Sequence, residues 1–252
     1  VSTAEGSKPA DTRAAPAVFV TTHWSVVLTA AQSDTTRARA ALEQLCRTYW
    51  HPLYAFVRRR GHSPADAEDL TQEFFARLLE RNAVATVTPA KGRFRSFLLA
   101  SLNHFLADEW DKARAQKRGG GKVIVLDLQS AETRLGEAHA RDLTPEQAYD
   151  LHWAVTLLEQ VYQRLEAEYR AQSRSALFEM LRHTLAGESR SAPYAELARQ
   201  LDMSEGAVKV AVHRLRQRYR ALLRDTIADT VAGPDDVEDE LRHLFQTLAR
   251  QD

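Results

Sequence analysis

Three consecutive glycines, Gly119, Gly120 and Gly121, interrupt a chain that carries helical periodicity along most of its length. Glycine loses more backbone freedom on ordering than any other residue, so a helix does not run through such a triplet. On either side Leu, Ala, Arg and Glu dominate, with only 10 glycines and 8 prolines among 252 residues. These side chains lose little rotamer freedom in a helix, which favours it over strand. A chain of this length is also above the usual size of one domain. The expectation is an all-α protein of two helical domains joined by a flexible linker.

The boundaries follow from local composition. Residues 1–18 are rich in Ala, Thr, Ser and Pro, lack a hydrophobic signal core and read as a disordered tail. A first helical domain is expected over 19–118, a linker over 119–144, a second helical domain over 145–232 and an acidic amphipathic extension over 233–252. Within the first, Thr21 or Thr22 is placed to cap a short helix through Trp24, Val27 and Leu28. A second helix is expected from about 36 to 60 on Leu42, Leu45, Tyr49, Leu53, Phe56 and Val57, with Pro52 kinking or splitting it and Gly61 ending it. Ser63 caps the next, ahead of Pro64 and a buried stripe of Leu70, Phe74, Leu78 and Leu79. Residues 82–92 read as a loop. A helix from about 94 to 115 follows, with Phe97, Leu98, Leu102, Phe105, Leu106 and Trp110 facing inward. In the linker, Val123 to Leu126 is a short extended apolar run available for docking. Thr144-Pro145-Glu146 is a strong helix start, leading through Trp153, Leu157, Leu158, Val161, Leu165 and Tyr169.

Charge excludes some functions only when its distribution is considered. Lys+Arg and Asp+Glu both total 34, so the net charge of zero argues against a uniformly basic nucleic-acid binder. Cys46 is alone, which rules out an internal disulfide and fits a reducing, cytoplasmic compartment. No apolar run approaches membrane-spanning length. The nine His are scattered without a ligand pair, so neither metal nor cofactor is expected. No catalytic constellation emerges, and the chain reads as a non-enzyme.

Residues Tyr194 to Arg220 carry a helix-turn-helix pattern. Ala195-Glu196-Leu197-Ala198 is a short helix whose small Ala198 permits close approach, and Leu201-Asp202-Met203-Ser204 forms the turn. Ser204 is placed as an N-cap, with Glu205 at the positive end of the dipole. In the second helix Val208, Val212, Leu215, Tyr219 and Leu222 form an apolar stripe, while Lys209, His213, Arg216 and Arg220 lie opposite, flanked by Arg214 and Arg218. An apolar back and a cationic front suit a helix laid into a major groove, where phosphates supply affinity and base edges specificity. A solvated amphipathic helix has the same periodicity, but it does not account for the capped first helix and the tight turn.

Two further segments concentrate charge. Asp66, Asp69 and Glu73 gather close to one helical face, with Glu68 flanking and no base between them, at a mild cost from like-charge repulsion. Downstream, Lys91, Arg93, Arg95, Lys112, Arg114, Lys117, Arg118 and Lys122 outnumber Asp108, Glu109 and Asp111 and are interleaved with Phe94, Phe97 and Trp110. Cations beside aromatics suit single strands, whose bases stack and whose phosphates pair; core packing is the competing role, and the better one for Phe97.

Taken together, these motifs resemble extracytoplasmic-function sigma factors of the sigma-70 family. Residues 194–198, 203–209 and 213–216 are similar to the domain that reads the promoter −35 element. Asp-Ala-Glu-Asp-Leu-x-Gln-Glu-x-Phe from Asp66 is close to the polymerase-binding signature of sigma region 2. Thr21 to Val27 and Ala115 to Gly121 also resemble one bacterial subgroup of that family. The resemblance implies a region 2-like bundle and a region 4-like helix-turn-helix domain. It implies that Asp66, Glu68, Asp69, Gln72 and Glu73 contact the β′ clamp helices of core RNA polymerase. It places Arg93, Arg95, Asn103, His104, Lys117 and Arg118 at the −10 DNA, with the role of the family's asparagine open between Asn103 and His104. Ser204, Lys209, Val210, His213 and Arg214 fall at the −35 DNA, with Arg216 and Arg218 on phosphates. Core polymerase and promoter DNA are the implied partners; whether an anti-sigma factor or a regulatory kinase joins them stays open. The rival reading is a free-standing helix-turn-helix regulator with an N-terminal sensing or interaction domain.

The balancing negative charge sits at the C-terminus, where Asp225, Asp229, Asp235, Asp236, Glu238, Asp239 and Glu240 face only Arg242 and Arg250. Val237, Leu241, Leu244, Phe245 and Leu248 form a helical stripe. Packing on its own domain is one role for this helix, and masking of basic surfaces or meeting a partner is the other.

Overall fold

The computed structural model describes residues 36–80, 93–115, 143–186, 194–233 and 235–250, with side chains described for 46–78, 93–110, 143–185 and the last two ranges. The expectations for the N-terminal tail, the short helix at Trp24, the loop 82–92, Lys117, Arg118 and the run Val123 to Leu126 lie outside them. In order the helices are α1 (Thr36–Arg59), α2 (Pro64–Glu80), α3 (Phe94–Ala115), α4 (Pro145–Ala171), α5 (Ser175–Leu181), a 3-10 turn (Arg182–Ala186), α6 (Tyr194–Leu201), α7 (Glu205–Ala228) and α8 (Asp235–Ala249). All are joined by turns or by undescribed segments, and the described residues form an all-α protein.

Local chemistry accounts for most helix ends. Gly61, at φ +92°, takes the left-handed turn that stops α1, and its N–H reaches Arg58 O at 3.0 Å. Ser63 Oγ accepts the Asp66 amide at 3.2 Å, starting α2. At α4, Thr144 Oγ1 accepts the Gln147 N–H while Gln147 Oε1 accepts the Thr144 N–H, a reciprocal pair that satisfies two otherwise orphaned donors. The turn between α6 and α7 passes through Asp202 at φ 52°, a conformation that short polar side chains tolerate better than most. Ser204 then caps α7 through the Ala207 N–H.

Pro52 does not split α1, which runs unbroken across it. An interior proline costs about 3 kcal/mol in helix propensity. Here Tyr49, Leu53, Tyr54, Phe56 and Val57 around it are all fully buried, and that burial outweighs the penalty.

Helix α4 lies along α1 and joins the two halves. Tyr49, Leu53, Phe94, Leu98 and Leu102 pack into one hydrophobic cluster with Tyr149, Trp153, Leu157 and Val161, continuing to Leu215, Leu222 and Leu244. Trp153 Nε1 donates to Tyr49 Oη at 3.1 Å, and Gln160 Nε2 donates to Thr48 Oγ1 at 3.1 Å. At the start of α3 the Phe94 N–H donates to Thr230 O at 3.0 Å, beside an antiparallel bridge between Arg93 and Val231. The cores expected of two domains are therefore continuous across α1 and α4.

Two aromatic positions differ from their expected placement. Trp110 is 62% exposed rather than inward, because the buried residues of α3 end at Phe105 and Leu106, one turn earlier. Phe245 is 57% exposed. The face of α8 that is buried runs through Val237, Glu240, Leu244 and Thr247, and Phe245 falls a residue beyond it, rotated by about 100° around the helix.

Candidate nucleic-acid and protein interface

On α2, Asp66, Asp69 and Glu73 are exposed and share one face, with Glu68 half-buried on its flank. Gln72 is buried instead, and its amide donates to Glu68 Oε1 at 2.9 Å. It orients Glu68 rather than offering a surface of its own. Arg77 pairs with Glu73 one turn away and with Glu109 of α3 at 2.7 Å, which ties the acidic face to the neighbouring helix.

Beside that face lies a groove of about 580 Å³. Leu70, Leu106 and Trp110 supply its apolar surface, and Arg60, His62, Asp66, Asp69 and Asn103 its polar groups. Asn103 Oδ1 accepts from Arg60 Nη2 at 2.6 Å. His104, next to it in sequence, is exposed. The pair left open in the sequence is thus divided by geometry: Asn103 belongs to the groove wall, and His104 faces solvent.

Arg93 and Arg95 stand at the first turn of α3, where acids of α4 and α8 engage them. Arg95 Nε meets Glu240 Oε1 at 2.5 Å, its Nη1 meets Asp150 Oδ1 at 3.1 Å, and its guanidinium lies 5.4 Å from the centre of the Trp153 ring. Arg93 reaches Glu240 Oε2 and Asp239 Oδ2, each at 3.4 Å. Burial works against the charge on Arg95, but Glu240 and Asp150 outweigh it and hold the guanidinium pKa above its ordinary value. The side chain of Glu240 is only 1% exposed.

The second helix of the helix-turn-helix has the expected back. Val208, Val212, Leu215 and Leu222 are buried, and Tyr219 is half-buried. On its front Lys209, Val210, His213 and Arg214 are exposed, with the Lys209 ammonium 5.9 Å from the Tyr194 ring centre. The two arginines assigned to phosphates are differently placed. Arg216 is half-buried and donates through Nε and Nη2 to Thr184 O at 3.1 and 2.8 Å. Arg218 makes two parallel 2.7 Å bonds to Glu168 of α4, and they hold the Glu168 carboxyl below its usual range. Both therefore brace α7 against the body. Ser204 is committed to its cap.

Asp150, Trp153 and Glu240 were not anticipated around the arginines. For Glu240 a signal existed. It stands three residues after Val237 and four before Leu244, so it falls on the buried side of an amphipathic helix, where an acid needs a cation. Asp150 carries no comparable mark, being one acid in a long helix. Among the described residues no group of three or more His, Cys, Asp or Glu is arranged to hold a metal ion. No helix among them is long and apolar enough to cross a membrane.

Residues 45–116 match the family model for Sigma-70 region 2. No curated protein and no solved structure matches the chain. The match covers α2, α3 and most of α1, so the acidic face, the groove and both arginines all belong to a sigma-70 region 2 domain. At the family level this connects the chain to transcription initiation through RNA polymerase, a function carried out by binding rather than catalysis.

Proposed function

We propose that this chain, built on a sigma-70 region 2 domain over residues 45–116, is a sigma factor of the extracytoplasmic-function type that directs core RNA polymerase to promoters by reading −10 and −35 elements. The region 2 match carries the reading. It is supported by a second basic surface in the same chain, the front of α7, presented by a capped helix-turn-helix. In this reading the carboxylates of Asp66, Glu68, Asp69 and Glu73 meet the β′ clamp helices, with Gln72 fixing Glu68 from below. The groove bearing Asn103 and the flank bearing His104 take the melted −10 strand. Lys209, Val210, His213 and Arg214 face the −35 duplex. Arg216 and Arg218 hold α7 at the right angle from behind. Direct readout needs donors and an apolar contact on one helix face, and these four residues provide both.

Charge reversal tests the polymerase half of the proposal. Asp69→Lys with Glu73→Lys is expected to abolish co-purification with core RNA polymerase while leaving helix content unchanged, since both positions are exposed. Undiminished core binding by the folded variant would refute it.

A further inference from the structure

The acid at position 240 is costly where it stands. Removing a carboxylate from water carries a penalty of several kcal/mol that an ion pair offsets only with good geometry, and an apolar residue of similar size commonly stabilises as well. Helix α8 already has apolar anchors in Val237 and in Leu244, which is fully buried. Attachment of α8 alone therefore does not call for Glu240. Its carboxylate is aimed at two guanidinium groups some 145 residues earlier in the chain, both within the region 2 domain. Asp239 reinforces it on Arg93, and Glu238 of the same helix pairs with Arg224 of α7. Helix α8 thus lays a row of acids across arginines from both halves of the molecule. Carboxylate and phosphate oxygens satisfy a guanidinium fork in the same way.

We propose that α8 is an intramolecular stand-in for a nucleic-acid backbone: Asp239 and Glu240 occupy Arg93 and Arg95, and α8 must be displaced before these arginines bind a DNA strand. The inference rests on the reading of region 2 as the strand-binding half. Its device is competition, because an arginine held by Glu240 and Asp150 under α8 is closed to phosphate.

The test uses the full chain and a fluorescein-labelled, mixed-sequence DNA single strand, with affinity read by anisotropy across a salt series. Glu240→Gln combined with Asp239→Asn and Asp150→Asn, which removes every carboxylate paired with the two arginines, is expected to tighten binding roughly tenfold at low salt, the scale of one charge-assisted hydrogen bond. Each phosphate contact on a single strand contributes about 0.7 to the slope of log affinity against log salt, so freeing two arginines steepens it by about 1.4. Adding Arg95→Gln is expected to remove most of the gain. Asp239→Asn alone, at a half-exposed position, leaves the core intact and is expected to give a smaller gain in the same direction. Unchanged affinity and slope in variants with native helix content would overturn the latch. Core-dependent initiation, measured in parallel, separates the two readings. Initiation without any gain in strand binding removes the latch and keeps the sigma reading. A gain in strand binding without initiation keeps the latch and removes the sigma reading.

Discussion

Replacing Tyr49 with Phe tests whether the two halves share one core. Tyr49 and Trp153 are both completely buried, and the indole N–H donates to the phenol oxygen at 3.1 Å. The substitution removes one oxygen and creates almost no cavity. Its effect is to leave the Trp153 N–H buried without that acceptor, at a cost of about 1–3 kcal/mol. Loss of the phenol's own desolvation offsets part of this, so a net destabilisation of about 1–2 kcal/mol is expected. For a body of this size each kcal/mol lowers the midpoint by about 2–4 °C. Urea unfolding followed by far-ultraviolet circular dichroism reads the change, and one cooperative transition with an unaltered slope is expected before and after. Combining Tyr49→Phe with Trp153→Phe gives a cycle whose coupling term, about 1 kcal/mol, isolates the bond from the packing that Trp153 also makes with Arg95 and His243. A Tyr49→Phe variant as stable as the parent, or a parent that unfolds in two separate transitions, would refute the shared core.

Other outcomes follow from the same geometry. On α7, Arg214→Ala is expected to weaken binding to promoter duplex and to lower its salt slope by about 0.9, the share of one phosphate contact, with little change in stability. Arg216→Ala is expected to do the reverse, lowering the unfolding midpoint while leaving the slope in place, because its guanidinium holds Thr184 O; electrophoretic mobility shifts over a salt series and thermal melts distinguish the two. Burial raises the phenol pKa of Tyr49 and Tyr149 above the ordinary value of 10.0. The folded chain keeps these protons longer than the unfolded chain does, so their contribution is complete below about pH 10 and is lost as pH rises through the folded values, by about 1.4 kcal/mol per pH unit for each phenol. Urea midpoints over the alkaline range check this, and Tyr49→Phe should remove about half of the slope.

Much of the helical framework was legible from periodicity and caps. The bounds of α3, the start of α4 at Thr144 and Pro145, and the apolar back of α7 follow from spacing and from side chains that satisfy helix ends. Pro52 leaves α1 unsplit because propensity is a local quantity, while the burial that overrides it depends on partners from α4 and α3. Trp110 and Phe245 misled for a related reason: a periodic stripe marks what a helix is able to bury, and the neighbours decide where burial stops. The acidic face of α2 was legible as a run of exposed carboxylates, although Gln72 within it turned out to be buried. The assignments of Arg93, Arg95, Arg216 and Arg218 rested on charge and on the family resemblance. Their partners, Glu240, Asp150, Thr184 and Glu168, are remote in sequence, and of these only Glu240, on the buried side of its helix, carried a mark of needing a cation, without saying which.

The most direct measurement of the central claim is initiation itself. Core RNA polymerase is incubated with a genomic DNA template, with and without the full chain, and transcript 5′ ends are mapped. The account predicts discrete start sites that appear only with the chain, share sequence elements upstream at −10 and −35, and disappear with Asp69→Lys and Glu73→Lys. The same diffuse background with and without the chain, while the chain binds DNA unaided and tightly, would contradict it.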